Sequence, residues 1–384
     1  MSLLFVNGGA PGQARLRVLG GLIVDAAGPG AHGETVIDLQ GDRLLPGLIN
    51  AHEHLQLNAL PRLSYRQRYE RVGDWIADID ARRSQDPLLR ANQAIPRAQR
   101  LLIGGLKNLL SGATTVVHHD PLYPSLLEPG FPVEVLRSYG WSHSLELDGA
   151  EHVRRSFQAT PPEQPWIIHA AEGLDSGDEF EQLDRLGCIA ANTVLVHGLA
   201  LSADQQQRLM QRGACLVWCP GSNLHLFQRT PEVRPLLERG CLLLGSDSRI
   251  SGGRDLLAEL PLARELAGLS EAGLEALLTS QAAARLRLND RGRLLPGLRA
   301  DLLVLPRGLK LSEAQRADLR LVMVGGRMLC ADPAFASAGG PGLLPVQVDG
   351  RPKSLERSLV EALQGAAISE PGLVLEPRPA EALA

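Results

Sequence analysis

The feature that most constrains this chain is an alternation of short apolar runs and amphipathic stretches between residues 46 and 291. Residues 166–169, 193–197, 215–219 and 241–246 are apolar runs of strand length, 114–118 is a β-branched run ending in a polar residue, and 140–145 is a weaker strand. Between them, residues 98–110, 179–186, 203–212, 231–238, 256–266 and 271–286 carry apolar side chains at helical spacing, as with Leu101, Leu102, Leu106, Leu109 and Leu110. A strand reached through a helix returns to the same end of the sheet, so such strands run parallel. This many strand–helix units predict an α/β fold of the TIM-type (β/α) barrel class.

The flanks have a different character. Residues 3–6, 16–18, 22–24 and 36–38 are β-prone and separated by Gly, Pro and Ala, and β character resumes after Arg287 with a hairpin through Gly325-Gly326. The expected organisation is a small β-sandwich built from both chain ends (1–45 and 292–335), a catalytic barrel over 46–291, and a Pro- and Gly-rich extension over 336–384 around one helix, 355–363. No internal repeat is evident. Aromatic residues make up only 4% of the 384 residues, so the core must be mainly Leu, Val, Ile and Ala.

The net charge of −4 gives no electrostatic case for nucleic acid or an anionic membrane, and no apolar run is long enough to cross a bilayer. The start, Met1 to Gly9, lacks a basic segment ahead of its short apolar run, so a cytoplasmic protein is expected. The five cysteines, at 188, 215, 219, 241 and 330, form no CxxC pair and read as reduced packing residues. Cys219 has no evident activating base. A small-molecule substrate is the partner this composition leaves open, and a homodimer is the assembly suggested by the prevalence of two-fold oligomers.

Chemistry-bearing residues fall at the strand ends: His52-Glu53-His54, His118-His119-Asp120, His169, His197 and Asp247. In a parallel barrel the C-terminal ends of the strands meet at one face, which holds the site. Alternate residues of a strand share a face, so His52 and His54 can grip one ion while Glu53 points elsewhere. A lone histidine at a strand end is usually structural. His52, His54, His169 and Asp247, on three different strands with donor types suited to zinc or ferrous iron, point to one divalent metal per subunit, Zn2+ first and Fe2+ as the alternative.

Longer motifs sharpen this. Leu45-Pro46-Gly47-Leu48-Ile49-Asn50-Ala51-His52-Glu53-His54 resembles the first-strand signature of the amidohydrolase superfamily. His169-Ala170-Ala171-Glu172 resembles the HxxE of its cytosine deaminase, guanine deaminase and triazine hydrolase (atrazine chlorohydrolase-like) branch. Val196-His197-Gly198, Cys219-Pro220-Gly221-Ser222-Asn223, Gly245-Ser246-Asp247 and Pro296-Gly297…Ala300-Asp301-Leu302 are similar to later segments of that pattern. The resemblance covers about residues 1–335. It implies a mononuclear site, because residues 138–146 contain no Lys to bridge two ions. It also implies that a metal-activated hydroxide attacks the substrate, with Asp247 accepting the water's proton, His197 orienting the nucleophile or polarising the substrate, and Glu172 shuttling the proton to ring nitrogen and leaving group.

The function so implied is hydrolytic deamination of a cyclic amidine or amino-substituted heterocycle. A chlorohydrolase, or an amide or cyclic-imide hydrolase, on the same apparatus is the alternative, because the leaving group writes no motif. A non-catalytic scaffold is the remote third, since every ligand position is filled. One departure stands out: residues 146–164 are too few for a full strand–helix unit before HxxE, so the fourth strand is expected to be degenerate. The long segment 55–97, with Gln56, Arg62, Tyr65, Arg66, Arg68, Tyr69 and Trp75, is expected to roof the site and to suit a planar or anionic substrate. Gln56, His119, Asn223 and His225 are candidate substrate contacts.

Overall fold

The computed structural model describes residues 2–9, 15–28, 30 and 32–376. The first sheet is formed by β1 (Ser2–Val6), β2 (Arg15–Leu19), β3 (Leu22–Val24) and β4 (Thr35–Asp38), in the order β3-β2-β1-β4. After β5 (Arg43–Pro46) come eight strands that pair only in parallel: β6 (Leu48–Glu53), β7 (Ala113–His118), β8 (Glu134–Val135), β9 (Gly140–Ser142), β10 (Trp166–Ala170), β11 (Thr193–His197), β12 (Cys215–Trp218) and β13 (Leu242–Leu244). They form two arcs, β6-β7-β8 and β9-β10-β11-β12-β13. Strands β6, β7, β11, β12 and β13 are buried at every residue, as expected where helices cover one face and a packed interior fills the other.

The arcs meet at both seams. On one side Asp247 N donates to His52 O at 3.1 Å. A Cβ on Gly245 would lie 2.7 Å from His52 Cβ, so a glycine is what lets the end of β13 approach β6. On the other side His119 Nε2 sits 2.8 Å from Ser142 O, and the Tyr139 hydroxyl donates to His118 O. This second seam is where the fold departs from expectation. The run at 140–145 is the fourth strand, cut to three residues, and it pairs directly with β10. The third is the two-residue β8, and only residues 136–139 separate β8 from β9. The third crossover is therefore the most curtailed, with no helix in it, and the second, between β7 and β8, holds only the 3-10 turn Pro124–Leu127. A two-residue strand carries no periodicity, so the sequence does not reveal it.

The remaining strands, β14 (Leu302–Leu305), β15 (Leu321–Val324), β16 (Arg327–Ala331), β17 (Leu343–Val348), β18 (Arg351–Glu356) and β19 (Leu373–Leu375), join β5 in a seven-stranded sheet, β19-β17-β18-β16-β15-β14-β5. Leu3, Phe5, Val18 and Ile37 of the first sheet share a buried cluster with Leu302, Val304, Leu321 and Met323 of this one, which makes the pair a sandwich. Residues 343–375 thus contribute three strands besides the helix Arg357–Gln364; the expectation of a single helix there was too sparse. All five cysteines are free and buried. No described helix is long and apolar enough to cross a membrane.

Candidate metal centre and active site

At the C-terminal ends of β6, β10 and β13 the side chains of His52, His54, His169 and Asp247 converge. His169 Nε2 lies 3.3 Å from His54 Nε2 and 3.3 Å from His52 Nε2. Asp247 Oδ1 lies 3.7 Å from His52 Nε2 and 4.0 Å from His54 Nε2. Hydrogen bonding settles which nitrogens carry protons. His169 Nδ1 faces His143 O at 2.8 Å and His54 Nδ1 faces Asp120 Oδ2 at 2.6 Å; both oxygens can only accept, so each Nδ1 donates. The lone pair of the neutral His169 ring is then on Nε2, which faces Nε2 of both His52 and His54. A shared cation is what this convergence of ring nitrogens suits. Ligands bound at roughly 2.0–2.1 Å around a tetrahedral ion are ~3.3 Å apart, so the residues present fit a divalent metal.

Charge and burial agree with this. Burial, reinforced by the neighbouring imidazoles, pushes His52 and His169 well below the usual histidine range, so both are neutral donors. For His54 burial works in the same direction, but the Asp120 carboxylate overcomes it and lifts the ring to about 9, which makes Nε2 a strong donor. Burial raises Asp247, yet His197, His54 and two serine hydroxyls outweigh it and hold the carboxyl ionised. Its Oδ2 accepts from Ser222 and Ser251, both at 2.7 Å, and its Oδ1 accepts from Ser248 N at 2.7 Å. Asp247 and His197 both adopt positive φ, +52° and +73°, as does Ala171 at +53°. Such backbone costs on the order of 1–3 kcal/mol per residue and collects where side chains must be aimed.

Behind the metal-facing side chains runs a second, fully paired layer. Glu53 points away from the cluster and its Oε2 accepts from Lys107 Nζ at 2.8 Å, Asn108 Nδ2 at 3.0 Å and Ser246 Oγ at 3.1 Å. Lys107 also donates to Asp247 O at 3.0 Å. Glu53 and Lys107 are both 0% exposed. Asn58 links this layer to the chain end: it donates to Glu53 Oε1 and accepts from Arg249 N, and Arg249 pairs with the buried Glu370 at 2.9 Å.

Glu172 and His197 face the same cavity. Glu172 Oε1 is 3.4 Å from His197 Nε2, and His197 Nδ1 is 3.2 Å from Asn223 Oδ1. Burial, with Asp247 and Glu179 adding repulsion, raises the Glu172 carboxyl well above the usual carboxylate range. Burial lowers His197. Glu172 and the neutral imidazole of His197 thus stand side by side, with the other ring nitrogen of His197 donating to Asn223. Burial likewise keeps Cys219 a thiol, which removes it as a nucleophile.

The cavity, of about 190 Å³, is lined by His54, His169, Glu172, His197 and Asp247 and by Gln56, Asp120 and His143, under a roof of Val72, Trp75 and Ile76. Of the expected substrate contacts, Gln56 is on its wall, donating to Asp120 Oδ2 at 2.7 Å. The other three are elsewhere. His119 is packed behind His169 (ring centroids 4.2 Å apart) and bound to Ser142 O, because the shortened β9 brings that carbonyl against it. Asn223 is fully buried behind His197. His225 is half-buried on the helix Pro220–Phe227, outside the cavity lining. Asp120 was among the polar residues at strand ends but was given no role; the residues that sequence reasoning missed, His143, Ser222, Ser248, Ser251 and Lys107, mostly neighbour the motifs. Lys107 alone had its own signal: a charge amid the apolar positions of the helix Arg97–Leu110.

No protein-family model matches the chain. It is 25% identical over 427 residues to an 8-oxoguanine deaminase of Pseudomonas aeruginosa, taking in 86% of this chain and 92% of that protein. It is 25% identical over 304 residues to a 5-methylthioadenosine/S-adenosylhomocysteine deaminase of Archaeoglobus fulgidus, with 65% and 69% covered. Among solved structures, the zinc complex of an atrazine chlorohydrolase from Arthrobacter aurescens TC1 superposes with a TM-score of 0.68 at 19% identity over 85% of this chain and 95% of that one. An adenosine deaminase from Xanthomonas campestris with bound zinc gives 0.68 at 18% identity, covering 85% and 92%. At these identities the structures speak for the fold.

Proposed function

We propose that this chain, a member of the amidohydrolase superfamily on its deaminase and triazine-hydrolase branch, is a metal-dependent hydrolase that deaminates an amino-substituted heterocycle or cyclic amidine. The observation that carries the reading is the pair of 3.3 Å Nε2–Nε2 separations beside the buried Glu172 carboxyl in one cavity. His52, His54, His169 and Asp247 would hold the ion, zinc in our reading. A divalent ion supplies water acidified to near neutrality as the nucleophile.

The chain's own groups account for the remaining steps. Asp247 is held ionised and takes a proton from the attacking water. His197, with Nδ1 committed to Asn223, offers Nε2 as an acceptor that orients the water. Glu172 gives its proton to the ring nitrogen next to the carbon under attack, so that carbon becomes tetrahedral without charge building on the ring. A C–O bond forms, the C–N bond breaks, and the amine leaves as ammonia with the protons drawn from water. Positioned acid–base groups of this kind contribute on the order of 10²–10⁴-fold.

The test is ammonia release from zinc-loaded protein across amino-purines, amino-pyrimidines, pterins and triazines, with His169→Ala as control. Release with one ring class, lost in the variant together with the metal, is the expected result. Chloride release from a chlorotriazine without ammonia from any ring would instead make this a chlorohydrolase. Silence on all of them, from protein shown to hold its ion, would sink the reading.

A further inference from the structure

The arginines expected over the site are all committed elsewhere. Arg62 Nε donates to Gly252 O at 2.5 Å, Arg66 pairs with Asp78 at 2.6 Å, and Arg68 with Glu70 at 2.7 Å. Arg71 makes two bonds of 2.8 Å to Asp175. Arg249, two residues past Asp247, is locked to Glu370. No lysine or arginine is among the residues lining the cavity, whereas four carboxylates, Asp120, Glu146, Glu172 and Asp247, are. Glu146 stands at the rim, its carboxylate against Gly73 at the start of the roof helix Val72–Arg82, where an added Cβ would meet Oε1 at 2.4 Å. The rest of the wall is apolar: Leu57, Val72, Trp75, Ile76, Leu147 and Leu226.

Two further observations bear on what enters. The side-chain oxygen of Gln56, a wall residue, is buried and has no hydrogen-bond partner among the described residues, while its nitrogen is spent on Asp120. That oxygen is closed off from the cavity, so Gln56 acts on the site through its nitrogen, which holds the Asp120 carboxylate in place. The cavity volume of about 190 Å³ falls below the ~300–1,000 Å³ typical of sites for drug-sized ligands.

Resting on the hydrolase reading above, we infer that the substrate is a nucleobase-sized amino-heterocycle, neutral or protonated, that carries no phosphate, carboxylate or sugar. A flat ring packs against Trp75 and the apolar wall, its exocyclic N–H groups face Asp120, and a cationic ring gains from Asp120 and Glu146. An anionic substituent would be desolvated beside Asp120 and Glu146 with no lysine or arginine to meet it. A ribose would project past the rim of a cavity of about 190 Å³.

The test is binding to zinc-loaded Glu172→Gln protein, which should retain ligand without turning it over. Binding is followed by calorimetry and by Trp75 fluorescence. The probes are matched series: cytosine and 5-carboxycytosine; pterin and pterin-6-carboxylate; adenine, adenosine and adenosine 5′-monophosphate. Within whichever series binds, the uncharged base should bind at least about tenfold more tightly than its anionic partner, since like-charge juxtaposition costs several kcal/mol. Adenine should bind more tightly than adenosine. A second variant, Leu147→Arg in the same Glu172→Gln protein, places a cation on the exposed part of the wall and should narrow the neutral-over-anionic preference in binding by about tenfold. Equal or tighter binding of the carboxylated or phosphorylated member, or of the nucleoside, overturns this substrate class and leaves the hydrolase reading standing. If protein that demonstrably holds its ion binds no member at all, this substrate class falls, and the hydrolase reading is decided separately by the turnover panel above.

Discussion

Successive residues of β6 do opposite things. His52 and His54 project toward the metal-ligand cluster, where their Nε2 atoms stand 3.3 Å from that of His169. Glu53, between them, projects the other way and is met by Lys107, Asn108 and Ser246. One layer brings together ring nitrogens that suit a cation from outside. The other is satisfied within the chain. The difference shows where folding energy is placed: the rear layer holds the backbone of β6 and β13 still, through bonds such as Lys107 Nζ to Asp247 O, so that the front layer can keep its ring nitrogens converged until the ion arrives.

That contrast can be broken from either side. At the front, Glu172→Gln keeps the carboxyl's shape and loses its proton chemistry. Metal content, measured by elemental analysis, should be unchanged, while kcat falls by about 10²–10⁴-fold. A drop of less than tenfold would remove Glu172 from the mechanism. At the rear, Lys107→Met leaves the Glu53 carboxylate buried without its partner. Chemical denaturation should show a loss of about 3–5 kcal/mol, most of it recovered in the double variant Glu53→Leu/Lys107→Met, because removing both charges removes the penalty. If the single variant were as stable as the parent, the rear layer could not be what steadies β6.

The smallest expected effect lies at the junction of the two layers. Asp120→Asn removes the charge that fixes the His54 tautomer and lifts that ring to about 9, so metal affinity, read by chelator competition, should weaken by about 10–100-fold with the fold intact. Unchanged affinity would mean that His54 is oriented by packing alone.

Much of this was legible in the residues. The alternation over 46–291 specified parallel strands, because amphipathic stretches between apolar runs admit few other arrangements, and β11 spans residues 193–197 as the pattern indicated. His52, His54, His169 and Asp247 could be singled out because strand ends in a parallel barrel share a face. The curtailed third unit was misplaced by one strand, since two residues of strand have no period to detect.

What the tertiary structure alone decided is which side chains face which. His119 was expected at the substrate and lies behind His169. Arg62, Arg66 and Arg68 were expected over it and turn to Gly252, Asp78 and Glu70. Sequence spacing says that a side chain is near a site. Its direction depends on partners from distant segments, Ser142 for His119 and Asp120 for His54, and these are brought up only when the arcs close. The sequence by itself therefore determined the ligand types and the strand ends that carry them, through local periodicity. The packing of both arcs decided the charge of the cavity and its volume, because those properties belong to surfaces drawn from many strands at once.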